Sequence, residues 1–130
     1  MHAPTRAERI LSFRDLVVWR RSIALAVAVY GLTEKFPRSE VYGLISQMRR
    51  AAVSVSSNIA EGHSRTTGSF LQFLLVAKGS NSELQTQIII ARALGFGESR
   101  ELNDTEQLSI EVAKLLSGLI ASLRRKQPNP

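Results

Sequence analysis

Cysteine is absent from the 130 residues, and histidine occurs twice. Without Cys there is no disulfide framework and no thiolate metal site. His2 and His63 lie far apart, and no Glu-x-x-His pair accompanies them. The dimetal chemistry that helix bundles often host is therefore not expected. His63 is also the only candidate imidazole base, because His2 falls in the N-terminal arm. Its neighbour Ser64 is adjacent in sequence, which gives no triad geometry. No catalytic residue, cofactor or metal is assigned, and an enzyme is not expected. Aromatics make up 6% of the chain, too few to suggest a stacking platform for single-stranded nucleic acid. Helix-turn-helix and zinc-finger spacings are missing as well.

Long hydrophobic runs are also lacking. A membrane span needs about 20 apolar residues. The longest candidate, Ile23 to Leu32, is about half that and follows Arg20-Arg21. It resembles the apolar part of a signal peptide, with Ala24-Leu25-Ala26 as a cleavage site. Against this, Glu8, Phe13, Asp15 and Trp19 sit in the supposed polar region, and the helical period starts before the run. A core helix in a cytoplasmic chain is the expectation.

Apolar residues amount to 44% and the formal charge is +6. That combination suits one compact domain and excludes wholesale disorder. The basic excess lies in the first half, with a further cluster at Arg124-Arg125-Lys126. It permits contact with nucleic acid or an anionic surface.

Heptad-like spacing dominates the chain. Residues 1–11 show no period and read as a flexible arm. Ser12 and Asp15 form a capping-box pattern, and Leu16, Trp19, Ile23, Ala26 and Tyr30 then step by 3 and 4. Phe36-Pro37 stops this helix. Ser39 is placed to cap a second helix with the seam Ile45, Met48, Ala52, Val55 and Ile59, ending at Gly62 as a C′ residue. Phe70, Leu74, Ala77, Asn81, Leu84, Ile88 and Ala91 define a third. Gly95-Phe96-Gly97 ends it and lacks the Lys and Ser/Thr of a phosphate loop. Asn103 and Glu106 suggest the capping box of a fourth, with the seam Leu108, Val112, Leu115, Leu119 and Ser122. Residues 12–126 thus predict an all-α antiparallel up-down-up-down four-helix bundle, followed by a tail at 127–130.

Some apolar positions exceed one seam. Val18, Leu25, Val29 and Leu32 on the first helix, with Phe73 and Val76 on the third, predict a surface for self-association. Asn58, Glu61, Asn81, Glu83 and Gln87 place polar groups near the seams. They predict a structural polar cluster, with Arg49, Arg50 or Lys78 as partners for buried carboxylates. Arg20, Arg21, Arg49, Arg50, Arg124, Arg125 and Lys126 form three basic clusters suited to phosphate recognition. Solvated arginines, paired within or between subunits, explain the same residues.

Several segments together resemble one family. Phe13-Arg14-Asp15-Leu16-Val17-Val18-Trp19 resembles its opening motif, and Phe36-Pro37 with Glu40-Val41-Tyr42-Gly43-Leu44 its first junction. Ser46-Gln47-Met48-Arg49-Arg50-Ala51-Ala52-Val53-Ser54, leading to Asn58-Ile59-Ala60-Glu61-Gly62, resembles its second-helix block. Lys78-Gly79-Ser80, Glu83-Leu84 and Thr86-Gln87 resemble the third-helix signature, and Gly118-Leu119-Ile120 with Ser122-Leu123 the last helix. The family is the bacterial four-helix-bundle proteins, also called 23S rRNA intervening-sequence proteins. The resemblance implies a left-handed bundle and a ring-shaped homopentamer. A related branch includes a basic pentameric barrel that binds nucleic acid and a reverse transcriptase. Two departures are visible. Val55-Ser56-Ser57 replaces the usual Pro-Ala approach to Asn58, which predicts a smoother second helix. Arg65 stands alone where a basic run often follows Gly62. Two functions remain open at this level: an RNA-associated oligomer, or a scaffold that binds a protein partner without nucleic acid.

Overall fold

A computed structural model describes residues 12–126. The expected arm at 1–11 and tail at 127–130 lie outside the described residues. Four helices follow in order: α1 Val17–Thr33, α2 Leu44–His63, α3 Thr67–Ala93 and α4 Ser99–Lys126. Short 3-10 turns at Phe13–Asp15 and Arg38–Glu40 precede α1 and α2. Each helix packs on its neighbours in sequence, and α4 packs on α1 to close the ring.

Paired residues give the directions. Arg21 meets Glu111, while Lys35 meets Glu101, so α1 and the start of α4 run oppositely. Ser54 meets Ser80, and Gly62 lies against Phe70 and Phe73, which sets α2 against α3. Asn81 meets Ser109 while Arg92 meets Glu106, which sets α3 against α4. Three reversals around a ring of four require the fourth. One end of the bundle therefore holds the start of α1, the α2–α3 connection and the end of α4.

Local chemistry explains the boundaries. Ser12 and Asp15 form the expected capping box, but it closes the 3-10 turn rather than opening α1 directly. At α3, the Thr66 hydroxyl accepts from the Ser69 backbone N–H. Gly95 and Gly97, with φ of 76° and 80°, supply the left-handed backbone that ends α3 and admits α4. A Cβ on Gly97 would also come within 2.9 Å of Leu32 Cδ1, so this turn sits down on the end of α1.

Two helix starts differ from the sequence expectation. Ser39 lies in the 3-10 turn, and Gly43 precedes α2. Asn103 is inside α4, where its side chain accepts from Arg92 instead of capping. Gly62 is not a C′ residue: α2 continues through it to His63 without interruption. Its role is close packing. A Cβ there would stand 2.6 Å from Phe73 Cβ.

The seams of α2 and α3 are buried as expected, from Ile45 to Ile59 and from Phe70 to Ala91. Those of α1 and α4 are displaced. In α1 the buried stripe is Val18, Ser22, Leu25, Val29 and Leu32. Val18, Leu25, Val29 and Leu32 were expected to face another subunit, and this is corrected: they are the bundle core, with the last three at 0% exposure. Ile23 and Tyr30 of the expected seam face outward instead, with Val27 between them. In α4 the buried stripe is Leu102, Thr105, Ser109, Val112, Leu116 and Ile120. Of the seam expected there, Val112 alone is fully inside; Leu108, Leu115 and Leu119 pack on the core from its margin.

Candidate nucleic-acid interface

Arginine planarity and permanent charge make its environment decisive for phosphate contact. The α1 and α2 arginines divide into engaged and free. Arg21 reaches across to α4 and grips Glu111 with two hydrogen bonds, Nε at 2.7 Å and Nη2 at 3.1 Å. That pairing raises the guanidinium pKa, first through the hydrogen bond and then through charge. Arg49 is held by α1. Its Nε donates to Thr33 Oγ1 at 2.9 Å, and its guanidinium lies 4.4 Å from the centre of the Tyr30 ring. A longer contact joins it to Glu34 at 3.4 Å. Arg21 and Arg49 thus serve packing between helices. Arg20 and Arg50 are exposed, with no ion pair among the described residues.

Arg124, Arg125 and Lys126 are exposed in the last turn of α4, where cations also complement the helix dipole. The antiparallel order brings them to the end that carries Arg14 before α1 and Arg65 after α2. Arg14 and Arg65 are exposed too. Arg65 pairs with Glu61 one turn back and lies 5.5 Å from the Phe73 ring centre. Among the described residues, Asp15 and Glu61 are the acidic groups at this end. Sequence inspection overlooked Arg14 and Arg65 as companions of the terminal cluster, because only the topology joins them. The opposite end is mixed in charge: Lys35 pairs with Glu101 at 2.6 Å and Glu98 at 3.5 Å.

The expected polar cluster is not one cluster. Asn81 is buried and pairs with Ser109 of α4, not with a cation. Asn58 is half-buried and donates to Ser54 of its own helix, through the carbonyl at 2.8 Å and Oγ at 3.0 Å. Ser54 Oγ in turn meets Ser80 Oγ at 2.9 Å, linking α2 to α3. Glu61 is exposed on Arg65. Glu83 is exposed and Gln87 buried, and both line a cleft between α2 and α3 with Gln47, Arg50, Ser54 and Ser80. Neither Glu61 nor Glu83 is a buried carboxylate, so the expected partners Arg49, Arg50 and Lys78 are not needed for them.

Of the remaining interface candidates, Phe73 is half-buried under Arg65 and Val76 is 53% exposed. Val76 thus belongs to the exposed apolar surface, as do Ile89, Ile90 and Leu94 on and just after α3; a second group is Ile23, Val27 and Tyr30 on α1, with Val41, Tyr42 and Val53. Tyr30, Val41, Ile45, Arg49 and Val53 line a groove of about 670 Å³. No group of His, Cys, Asp and Glu among the described residues could hold a metal ion. No described helix is long and apolar enough to cross a membrane.

Comparison with known proteins agrees with the fold. A crystal structure of a protein of unknown function from the S23 ribosomal protein family of Bacteroides thetaiotaomicron matches with a TM-score of 0.72 and 20% identity. The match covers 80% of this chain and 98% of that one. No curated protein matches the chain. Neither the family nor this neighbour indicates an enzymatic activity. The family described as 23S rRNA-intervening sequence protein matches residues 14–118, and the chain belongs to it.

Proposed function

We propose that the protein is a non-enzymatic, cytoplasmic, homo-oligomeric RNA-associated protein that contacts phosphates through one end of its bundle. The observation that carries this reading is the exposed Arg124-Arg125-Lys126 turn at the same end of the bundle as the exposed Arg14 and Arg65. Arg20 and Arg50, exposed and without an ion pair among the described residues, stay in the phosphate set, Arg20 near this end and Arg50 in the half of α2 nearer the other. Arg21 and Arg49 drop out of the phosphate set, because their guanidinium groups are already engaged. Contacts of this kind give affinity without base preference and weaken steeply with salt.

Support for the assembly comes from the outward α1 stripe of Ile23, Val27 and Tyr30, which a second copy would cover. A ring of five is the assembly implied by the sequence resemblance. The alternative is a protein scaffold, favoured by the groove at Tyr30, Val41 and Val53 with Tyr42 97% exposed at its edge.

Binding of nuclease-treated protein to a labelled structured ribosomal RNA, measured against salt, tests the RNA reading. Each lost phosphate contact lowers the log–log slope by about 0.7–0.9. Replacing Arg124, Arg125 and Lys126 together by Ala should flatten the slope. An unchanged slope removes the basic end from the interface, and no binding at low salt favours the scaffold.

A further inference from the structure

Helix α1 carries a second face that its own chain leaves uncovered. Val27 is 68% exposed and stands opposite the buried Val18, Leu25 and Val29. With about 100° between successive residues, Arg20 and Glu34 fall within about 20° of the Val27 direction. Ile23 and Gly31 fall within about 40° of it, and Ala24 and Tyr30 within about 60°. Glu34 still has helical backbone angles, φ −56° and ψ −29°, so it belongs to the same face. Gly31 is exposed, and a Cβ on it would meet nothing within 4 Å. Glycine weakens a helix, and no neighbour in its own chain approaches closely enough to require it.

The chemistry of this face reverses about Val27. Seven residues before it stands Arg20, and seven after it Glu34. Four before it stands Ile23, and four after it Gly31. Three before it stands Ala24, and three after it Tyr30. Each charge is thus matched by its opposite, and each bulky side chain by a small one. Both charges are also available. Arg20 has no ion pair among the described residues, and Glu34 has only the 3.4 Å contact to Arg49.

We propose that two copies of the chain pair through α1, antiparallel, about a twofold axis at Val27. This rests on the oligomeric reading above, and it adds the direction and register of the contact. In this register Arg20 meets Glu34 of the partner subunit, and the symmetry repeats the pair at the other end. Ile23 packs beside Gly31 of the partner subunit, and Tyr30 beside Ala24 of the partner subunit. A small residue next to a large one lets two helix faces interdigitate. Opposite charges at both ends fix the register and penalise others. Parallel pairing would instead set Arg20 against Arg20 of the partner subunit and crowd the two tyrosines together. A twofold contact closes at two copies, so a ring of five would have to use other faces.

The test combines crosslinking with sedimentation equilibrium of the intact chain. Cysteine is absent, so a single introduced thiol reports one contact. Val27→Cys should form a disulfide-linked dimer on mild oxidation. Ile23→Cys and Gly31→Cys should crosslink to each other when mixed, and neither to itself. Arg20→Glu should weaken the pair about tenfold or more, and Arg20→Glu/Glu34→Arg should return it to within about threefold of the parent chain. All of these residues are exposed, so a helical circular dichroism spectrum should persist in each variant. Larger assemblies without the Val27→Cys crosslink overturn the pairing and leave the oligomeric reading intact. Self-crosslinking of Ile23→Cys, or a double charge variant no tighter than Arg20→Glu, overturns the antiparallel register. A parent chain that stays monomeric at every concentration overturns both the pairing and the oligomeric reading.

Discussion

Asn81 and Ser109 hold each other from opposite helices. The Asn81 amide donates to the Ser109 carbonyl at 2.9 Å, and the Ser109 hydroxyl donates to the Asn81 carbonyl at 2.8 Å. Both residues are buried, so neither has water as a substitute partner. The pair fixes α3 against α4 at one register, the role a buried amide plays in coiled coils. Ser109→Ala should cost about 1–3 kcal/mol, because it strands the Asn81 acceptor. Asn81→Leu alone should be comparably destabilising, while the double variant Asn81→Leu/Ser109→Ala should recover much of the loss. Urea unfolding of the four proteins measures the coupling; additive losses would show that the two hydrogen bonds do not act as a unit.

Glycine positions separate propensity from packing. Gly62→Ala places a methyl 2.6 Å from Phe73 Cβ and 2.9 Å from Phe70 Cδ1. It should destabilise by about 1–3 kcal/mol despite a better helix former. Gly79→Ala and Gly118→Ala meet nothing within 4 Å and lie inside helices. Each should stabilise by about 0.5–1 kcal/mol. Thermal melts of the three variants check the contrast in sign.

The exchanged stripes of α1 make different predictions for neighbouring positions. Leu25→Glu buries a carboxylate in the core and should unfold the chain. Val27→Glu alters a residue that is 68% exposed and should leave the fold intact. If the α1 surface joins copies, Val27→Glu should lower the mass measured by light scattering. A helical circular dichroism spectrum with unchanged mass would remove this stripe from the assembly.

Lys35 and Glu101 give a small, salt-sensitive pH dependence. The Glu101 hydrogen bond raises the Lys35 pKa, and the Lys35 hydrogen bond lowers that of Glu101. The depressed carboxylate contributes stability above its unfolded pKa, and this is lost as pH falls through the folded value. The raised ammonium contributes below its unfolded pKa, and this is lost as pH rises through the folded value. The pair is therefore complete between about pH 5 and pH 10. Lys35→Met should return the Glu101 carboxyl toward the ordinary range in an NMR titration. Because Lys35 is exposed and Glu101 only half-buried, the effect on melting should be slight and should fade with added salt.

The sequence made the helices legible but misplaced two of their faces, and hydroxyl residues caused both errors. Ser22 interrupts the apolar series on the buried side of α1, as Thr105 and Ser109 do in α4. Such residues look like surface. Their hydroxyls are satisfied locally, Ser22 by the Trp19 carbonyl at 2.6 Å and Thr105 by the Glu101 carbonyl at 2.7 Å, so they can enter a core. Trp19 and Tyr30 pulled the expected seam of α1 the other way, because aromatic side chains look like core. Tyr30 is instead 43% exposed with Arg49 stacked on it. The α2 and α3 seams contain no such contradiction apart from Asn81, and they were readable. The basic clusters were visible as residue pairs. Which guanidinium groups are free was not, since the contacts of Arg21 and Arg49 join positions 90 and 16 residues apart.

The unequal ends of the bundle give the molecule a sidedness. Any rotation about an axis parallel to the helices carries Arg14, Arg65 and the Arg124–Lys126 turn to the same side in every copy. A closed ring built this way would have one basic face and one face of mixed charge. Its potential would grow with the number of copies while each copy stayed only moderately basic. A flat, repeated array of cations suits an extended polyanion better than a small one, because the phosphates along a backbone can occupy several copies at once.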